Sequence, residues 1–194
     1  MPDEIEVKFK VDDFADVRRA LRKAGARHLA TVIQTDAYYD TPDGMLLSRD
    51  CGLRIRRVRC LRSGTGKIDT RPLLTAKGPA RGGAAKVRVE AQTHLDNPAA
   101  VIEILKAVGL VLAVSIQKRR ATYRLGESLV ELDELPVIGR FIEVESPSRR
   151  ALERTCRSLS LAGRRITDHY LRLLTKAGVR LRGRKLRLAR PKGR

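Results

Sequence analysis

Glu4-Ile5-Glu6-Val7-Lys8-Phe9-Lys10-Val11 alternates charged and apolar side chains without a break. Successive side chains on a strand point to opposite faces, so this run predicts a strand with one apolar face and one ionised face. The pattern returns along the chain. Arg54 and Arg56 alternate within Leu53–Val58, Arg88 and Glu90 within Val87–Glu90, and Lys118 and Arg120 within a strand signal over Val111–Leu125. Glu131 lies within a signal at Ser128–Leu132 and Asp133 just after it, and Glu143 and Glu145 lie in Phe141–Glu145. Two further strands are expected around His28–Tyr39 and Thr70–Lys77, which brings the number to about eight.

Between the strands lie amphipathic segments with helix punctuation. After Asp12 and Asp13, either of which can cap, Phe14, Val17, Leu21 and Ala24 recur at helical spacing until Gly25. Asn97-Pro98 opens a second helix carrying Val101, Ile104, Leu105 and Val108, closed by Gly109. Ser146-Pro147-Ser148 introduces a third with Leu152, Cys156 and Leu159, and a short last helix holds Tyr170, Leu171 and Leu174. Thr41-Pro42-Asp43-Gly44 is a turn, and Ser63-Gly64-Thr65-Gly66 and Arg81-Gly82-Gly83 are loops. Strands joined by hairpins or single helices fit an antiparallel α+β fold better than a doubly wound one.

The chain has 194 residues, with 41 Lys and Arg against 22 Asp and Glu, for a net charge of +19. This length and a 42% hydrophobic content allow one globular domain with a substantial core. From residue 180 to the end, eight basic residues and no acid occur, leaving +11 on the rest. That block reads as a mobile basic tail over 179–194, suited to nonspecific contact with nucleic acid or polyphosphate, behind a domain spanning 1–178. No apolar stretch approaches the roughly 20 residues of a membrane span, and no apolar leader follows Met1, so a cytoplasmic protein without membrane contact is expected. Cys51, Cys60 and Cys156 lack metal-ligand or disulfide spacing and read as reduced, mostly buried thiols. His28, His94 and His169 are too scattered for a metal cluster.

An ionised strand face is ordinarily a solvated one. Here, however, Glu-x-Glu recurs and so do Arg-x-Arg and Lys-x-Arg, on six strands, whereas a face meant only for solvent would mix in Thr, Ser, Gln and Asn. Clustered carboxylates supply hard oxygen ligands for Mg²⁺ or Mn²⁺, and converging Lys and Arg suit phosphate oxygens. If the strands close into a barrel, the charged faces would line its interior and the helices would cover its apolar outside.

Glu4-x-Glu6-x-Lys8 resembles the E-x-E-x-K signature of the CYTH, or triphosphate tunnel metalloenzyme, superfamily. The resemblance extends in order through Gln34–Pro42, Leu53–Arg56, Leu74–Pro79, Lys118-x-Arg120, Leu132–Glu134 and Gly139–Glu145, covering residues 3 to about 175. It implies an eight-stranded antiparallel β-barrel, with helices packed outside, that binds a triphosphate together with Mg²⁺ or Mn²⁺. Glu4, Glu6, Asp133, Glu143 and Glu145 match the metal-facing acids, with Glu90 and Glu131 as weaker matches. Lys8, Arg54, Arg56, Lys77, Arg88, Lys118 and Arg120 match the phosphate-binding set. Gln92 departs from the pattern, since a second acid often follows the position of Glu90.

Two reactions share these residues. Hydrolysis would release orthophosphate from inorganic, nucleoside or organic triphosphates, as in the thiamine-triphosphatase-like branches, with Lys8 or a carboxylate helping to deprotonate the attacking water. Cyclisation would convert ATP to cyclic AMP and pyrophosphate, as in the class IV adenylyl cyclases. The Tyr39–Gly44 turn looks more like the triphosphatase branches and favours hydrolysis. A third reading is a binder of polyphosphate or RNA without turnover. Whether two protomers pair as a homodimer is left open by the sequence.

Overall fold

The computed structural model describes residues 5–79, 89–163, 165–166 and 168–189. The elements, in order, are β1 (Ile5–Val11), α1 (Ala15–Lys23), β2 (Arg27–Asp40), α2 (Met45–Ser48), β3 (Gly52–Ser63), β4 (Leu73–Lys77) and β5 (Glu90–His94). They continue with α3 (Pro98–Ala107), β6 (Val111–Leu125), β7 (Ser128–Leu135), β8 (Gly139–Ser146), α4 (Arg149–Ser158), β9 (Arg165–Ile166), α5 (Tyr170–Lys176) and β10 (Arg184–Leu186).

The strands form one sheet in the order β5-β4-β3-β2-β6-β7-β8-β1-β9, antiparallel throughout this path, and β10 adds to β6 in parallel. Strands β1 to β8 answer to the eight expected, six of them from charge alternation, although β5 runs Glu90–His94 where Val87–Glu90 was expected. Two additions, β9 and β10, are too short to carry a readable period. Among the described residues no pairing joins β5 to β9, so the sheet is an open trough rather than a hydrogen-bonded ring. It nonetheless curls. Lys8 on β1 and Lys118 on β6 lie three strands apart, about 14 Å on a flat sheet. Both ammonium groups stand over the Tyr170 ring, 4.6 and 5.2 Å from its centroid, so the face they share is concave.

The convex face is apolar and is covered in two places. Val7 and Phe9 of β1, with Ala121, Val130, Leu132, Ile142 and Val144, pack against Phe14, Val17 and Leu21 of the α1 segment and Leu152, Cys156 and Leu159 of the α4 segment. Farther along, Tyr39 and Ile55 pack against Leu105 of α3. Capping fixes where these helices begin: Asn97 Oδ1 accepts from the Ala100 N–H at 3.0 Å, and Ser148 Oγ accepts from the Ala151 N–H at 3.2 Å. The Asp13 carboxylate accepts from the Ala15 N–H at 2.6 Å, just ahead of α1.

The last helix behaves differently. Tyr170, Leu171 and Leu174 of α5 pack with Ile116, Leu135 and Phe141, whose side chains share the charged side of the sheet, so α5 fills one part of the trough. Of the expected tail at 179–194, residues 190–194 lie outside the described residues, and part of the rest joins the body: Val179 enters the same cluster, and Arg184–Leu186 pair with Val114–Ile116. Of the expected strand at Val87–Glu90, residues 87 and 88 lie outside the described residues, and pairing begins at Glu90 and runs on to His94. Of the three thiols only Cys156 is buried, Cys60 being exposed and Cys51 partly so.

Candidate functional site

Register alone brings the ionised side chains onto one face. Directly paired residues in antiparallel strands share a side of the sheet. Glu6 pairs with Glu145 and Lys8 with Glu143 across β1 and β8, and Glu131 pairs with Glu143 across β7 and β8. Arg120 pairs with Asp133, Gln34 with Lys118, Asp36 with Arg56 and Tyr38 with Arg54. Arg54 pairs in turn with Thr75, and Lys77 with Glu90. The alternation therefore does place both signs of charge on the concave face, in parallel rows across eight strands.

These groups are withdrawn from solvent. Lys8, Lys118, Asp36, Asp133 and Glu143 are each at most 6% exposed, and Arg120 is 9% exposed. Their charges are matched at short range. Lys8 Nζ lies 2.8 Å from Glu143 and 3.1 Å from Glu6. Arg120 donates to Asp133 Oδ1 at 2.6 Å and also contacts Glu131 and Glu143, so three carboxylates converge on one guanidinium. Lys118 donates to Asp133 at 3.0 Å, and Tyr170 donates its hydroxyl to the same carboxylate at 2.9 Å. Across the trough, Arg56 grips Asp36 with two bonds of 2.7 Å, and Arg54 Nη1 approaches it at 3.5 Å.

Proton affinities follow from this packing. Burial disfavours the Lys8 ammonium, but Glu143 and then Glu6 outweigh it, and the pKa is raised. Burial and the adjacent Arg120 bring Lys118 down to about 8, only partly offset by Asp133. Burial also raises Glu131, whereas at Asp133 and Glu143 burial is outweighed by the neighbouring cations, which hold both low. At Asp36 burial is likewise overcome, by Arg56 and Arg54, and the carboxyl lies below the usual range.

Several contributors to this face were not among the residues singled out by sequence. Asp36 stands alone among neutral neighbours in Gln34-Thr35-Asp36-Ala37, so no charge alternation marks it. Tyr170 comes from a helix 37 residues beyond its partner Asp133. Among the described residues, three buried side-chain polar atoms on the concave face have no hydrogen-bond partner: Arg54 Nε, Thr75 Oγ1 and Gln34 Oε1. Two of them can donate, as a bound anion would require. Lys77 ion-pairs with Glu90, and Gln92 donates to Glu90 at 2.8 Å, so the departure at Gln92 leaves a hydrogen-bond donor where the pattern has an acid. Glu4 and Arg88 lie outside the described residues. Among the described residues no three Asp, Glu, His or Cys side chains are arranged to hold a metal ion, because the carboxylates turn toward the basic rows.

The concave sheet face thus carries matched rows of Lys, Arg and carboxylate. The family profile of the CYTH domain matches residues 2–160, and the chain belongs to the CYTH family. It is 28% identical over 142 residues to the provisionally named adenylate cyclase MJ0240 of Methanocaldococcus jannaschii, covering 73% of this chain and 75% of that one. The PH1819 protein of Pyrococcus horikoshii superposes with a TM-score of 0.74 at 25% identity, over 89% of this chain and 98% of that one. HpAC1 of Hippeastrum, a provisionally named adenylyl cyclase described as having a dominant triphosphatase activity, superposes with a TM-score of 0.65 at 20% identity, covering 92% and 96% of the two chains. At that identity the likeness concerns the fold.

Proposed function

We propose that this protein is a triphosphatase dependent on Mg²⁺ or Mn²⁺, which hydrolyses an inorganic, nucleoside or organic triphosphate on the concave face. One observation carries the reading: six Lys and Arg side chains (8, 54, 56, 77, 118 and 120) are interleaved with seven carboxylates (6, 36, 90, 131, 133, 143 and 145) on one face. Such a face is close to neutral by itself. It therefore suits a ligand that brings both signs, a triphosphate with about four negative charges and its divalent cations.

The Lys and Arg rows bind and orient the phosphates, with Arg88 joining them on the family resemblance. Arg54 has an uncommitted Nε for this purpose. Asp133, engaged by Arg120, Lys118 and Tyr170, positions these groups. Glu6, Glu143, Glu145 and Glu131 form adjacent pairs of hard oxygen donors, with Glu4 joining on the resemblance, and their chemistry suits Mg²⁺ or Mn²⁺. A divalent cation held by these carboxylates would supply positive charge to offset that of the phosphates. Water attacks the terminal phosphorus, the bond to the bridging oxygen breaks, the diphosphate portion departs with that oxygen, and the terminal group is released as orthophosphate. Lys8, held protonated by Glu143 and Glu6, serves as a cation, so acceptance of the water's proton falls to a carboxylate.

Cyclisation of ATP, the reaction in the name of MJ0240, would also need a platform for adenine. The aromatic side chains on this face, Tyr38, Phe141 and Tyr170, belong to the apolar cluster beneath α5, which favours hydrolysis. Incubation with inorganic triphosphate, ATP or thiamine triphosphate plus Mg²⁺ or Mn²⁺, with chromatographic resolution of products, separates the readings. Orthophosphate is expected, abolished by EDTA and by Glu145→Gln. Cyclic AMP with pyrophosphate would establish the cyclase, and binding without product would establish the non-catalytic reading.

A further inference from the structure

The concave face is nearly charge-balanced, so the excess of +19 resides elsewhere. Part of it occupies a strip of convex sheet between the two helical covers. The α1 and α4 layer ends at Ala121 and Leu132, and the α3 layer reaches Ala37 and Ile55. Between them, Thr35 pairs with Arg57 on one side and Gln117 on the other, and Ile33 pairs with Arg59 and Arg119. Beside Ser115 lies Lys185 of β10. Thr35, Ser115, Gln117, Lys185, Leu186 and Arg187 enclose a surface cavity of about 230 Å³.

Arg57, Arg59, Lys185 and Arg187 are exposed and make no ion pair among the described residues. The acid nearest in register, Glu134, is already shared by Arg119 at 3.5 Å and Arg140 at 3.3 Å. The cavity thus combines two cations with three neutral side chains able to donate hydrogen bonds. That is the donor set with which proteins hold nucleic-acid phosphates. From Arg57 on β3 to Lys185 on β10 is three strand spacings, about 14 Å, long enough for several consecutive backbone phosphates. Among the described residues Arg and Lys line the strip without an aromatic group for base stacking, so contact would be with the backbone and insensitive to sequence.

We propose that this convex strip is a second anion site, which binds the phosphodiester backbone of single-stranded nucleic acid independently of the concave face. On β3 the two sites stand back to back, with Arg54 and Arg56 on the concave side and Arg57 and Arg59 on the convex side. A fluorescein-labelled 20-nucleotide RNA of mixed sequence with a 5′-hydroxyl, titrated by anisotropy against the full chain with and without saturating inorganic triphosphate, tests this.

Binding is expected to persist with triphosphate present and to weaken with salt. Arg57→Ala with Lys185→Ala should weaken it about tenfold and lower the slope of log Kd against log salt by about 1.4, since each phosphate contact on a single strand contributes about 0.7. Triphosphate turnover should be unchanged. Arg18→Ala with Arg22→Ala on α1 removes the same charge away from the strip and should have little effect. Equal weakening by the α1 pair, competition by triphosphate, or no measurable binding would each overturn the proposal.

Discussion

Lys118 is the side chain whose state depends most on its surroundings. It is 3% exposed, and burial with Arg120 alongside brings its pKa to about 8. A lysine carries its charge below its pKa, so Lys118 is cationic at pH 7 and mostly neutral at pH 9. If it binds phosphate, KM for triphosphate should rise roughly tenfold between those values, and Lys118→Arg, which stays charged, should flatten the profile. A KM equally flat in both proteins would remove Lys118 from the phosphate set. Spacing by two put Lys118 and Arg120 on one face of their strand, even though Arg119 between them is charged as well and falls on the other face. The same logic could not expose Asp36, a single acid among neutral residues, although register places it against Arg56 as firmly as any pair in the trough.

Among the elements, α5 contributes what no strand can. Its amphipathic sequence announced a buried face but not which side of the sheet would receive it, because an apolar helix stripe is compatible with either. The structure sets that stripe against Ile116, Leu135 and Phe141 and sends the Tyr170 hydroxyl to Asp133. His169 begins the helix by accepting from the Arg172 N–H at 3.3 Å. Tyr170→Phe keeps the packing and removes one bond to a buried carboxylate, and should lower unfolding free energy in urea by about 2 kcal/mol. An unchanged midpoint would mean that the hydroxyl does not help fasten α5 to the trough. Short elements escaped the sequence for a related reason. β9 and β10 offer two and three residues, too few to show a period, and exist because β1 and β6 leave edges for them to pair with.

For the molecule as a whole, total charge was a poor guide and its spacing a good one. Glu6, Lys8, Glu143 and Glu145 could be assigned a common face because strand geometry converts sequence parity into sidedness. Closure of the trough could not be read that way, since it depends on which strands end up at the edges. Nor could the location of the excess charge, because the near-neutral concave face becomes evident only when Asp36, Glu90 and Glu131 are counted beside the cations. The outcome is a sheet with two unlike sides, a charge-balanced concave face, proposed above as the site for a metal-bound triphosphate, and a basic convex strip. Arg54 and Arg57 lie three residues apart on β3, facing opposite sides, and steady-state hydrolysis of inorganic triphosphate by Arg54→Ala and Arg57→Ala compares those sides directly. We expect kcat/KM to fall about 10- to 100-fold for Arg54→Ala and to stay within about twofold of the parent for Arg57→Ala. Equal losses in both variants, or none in Arg54→Ala, would contradict this.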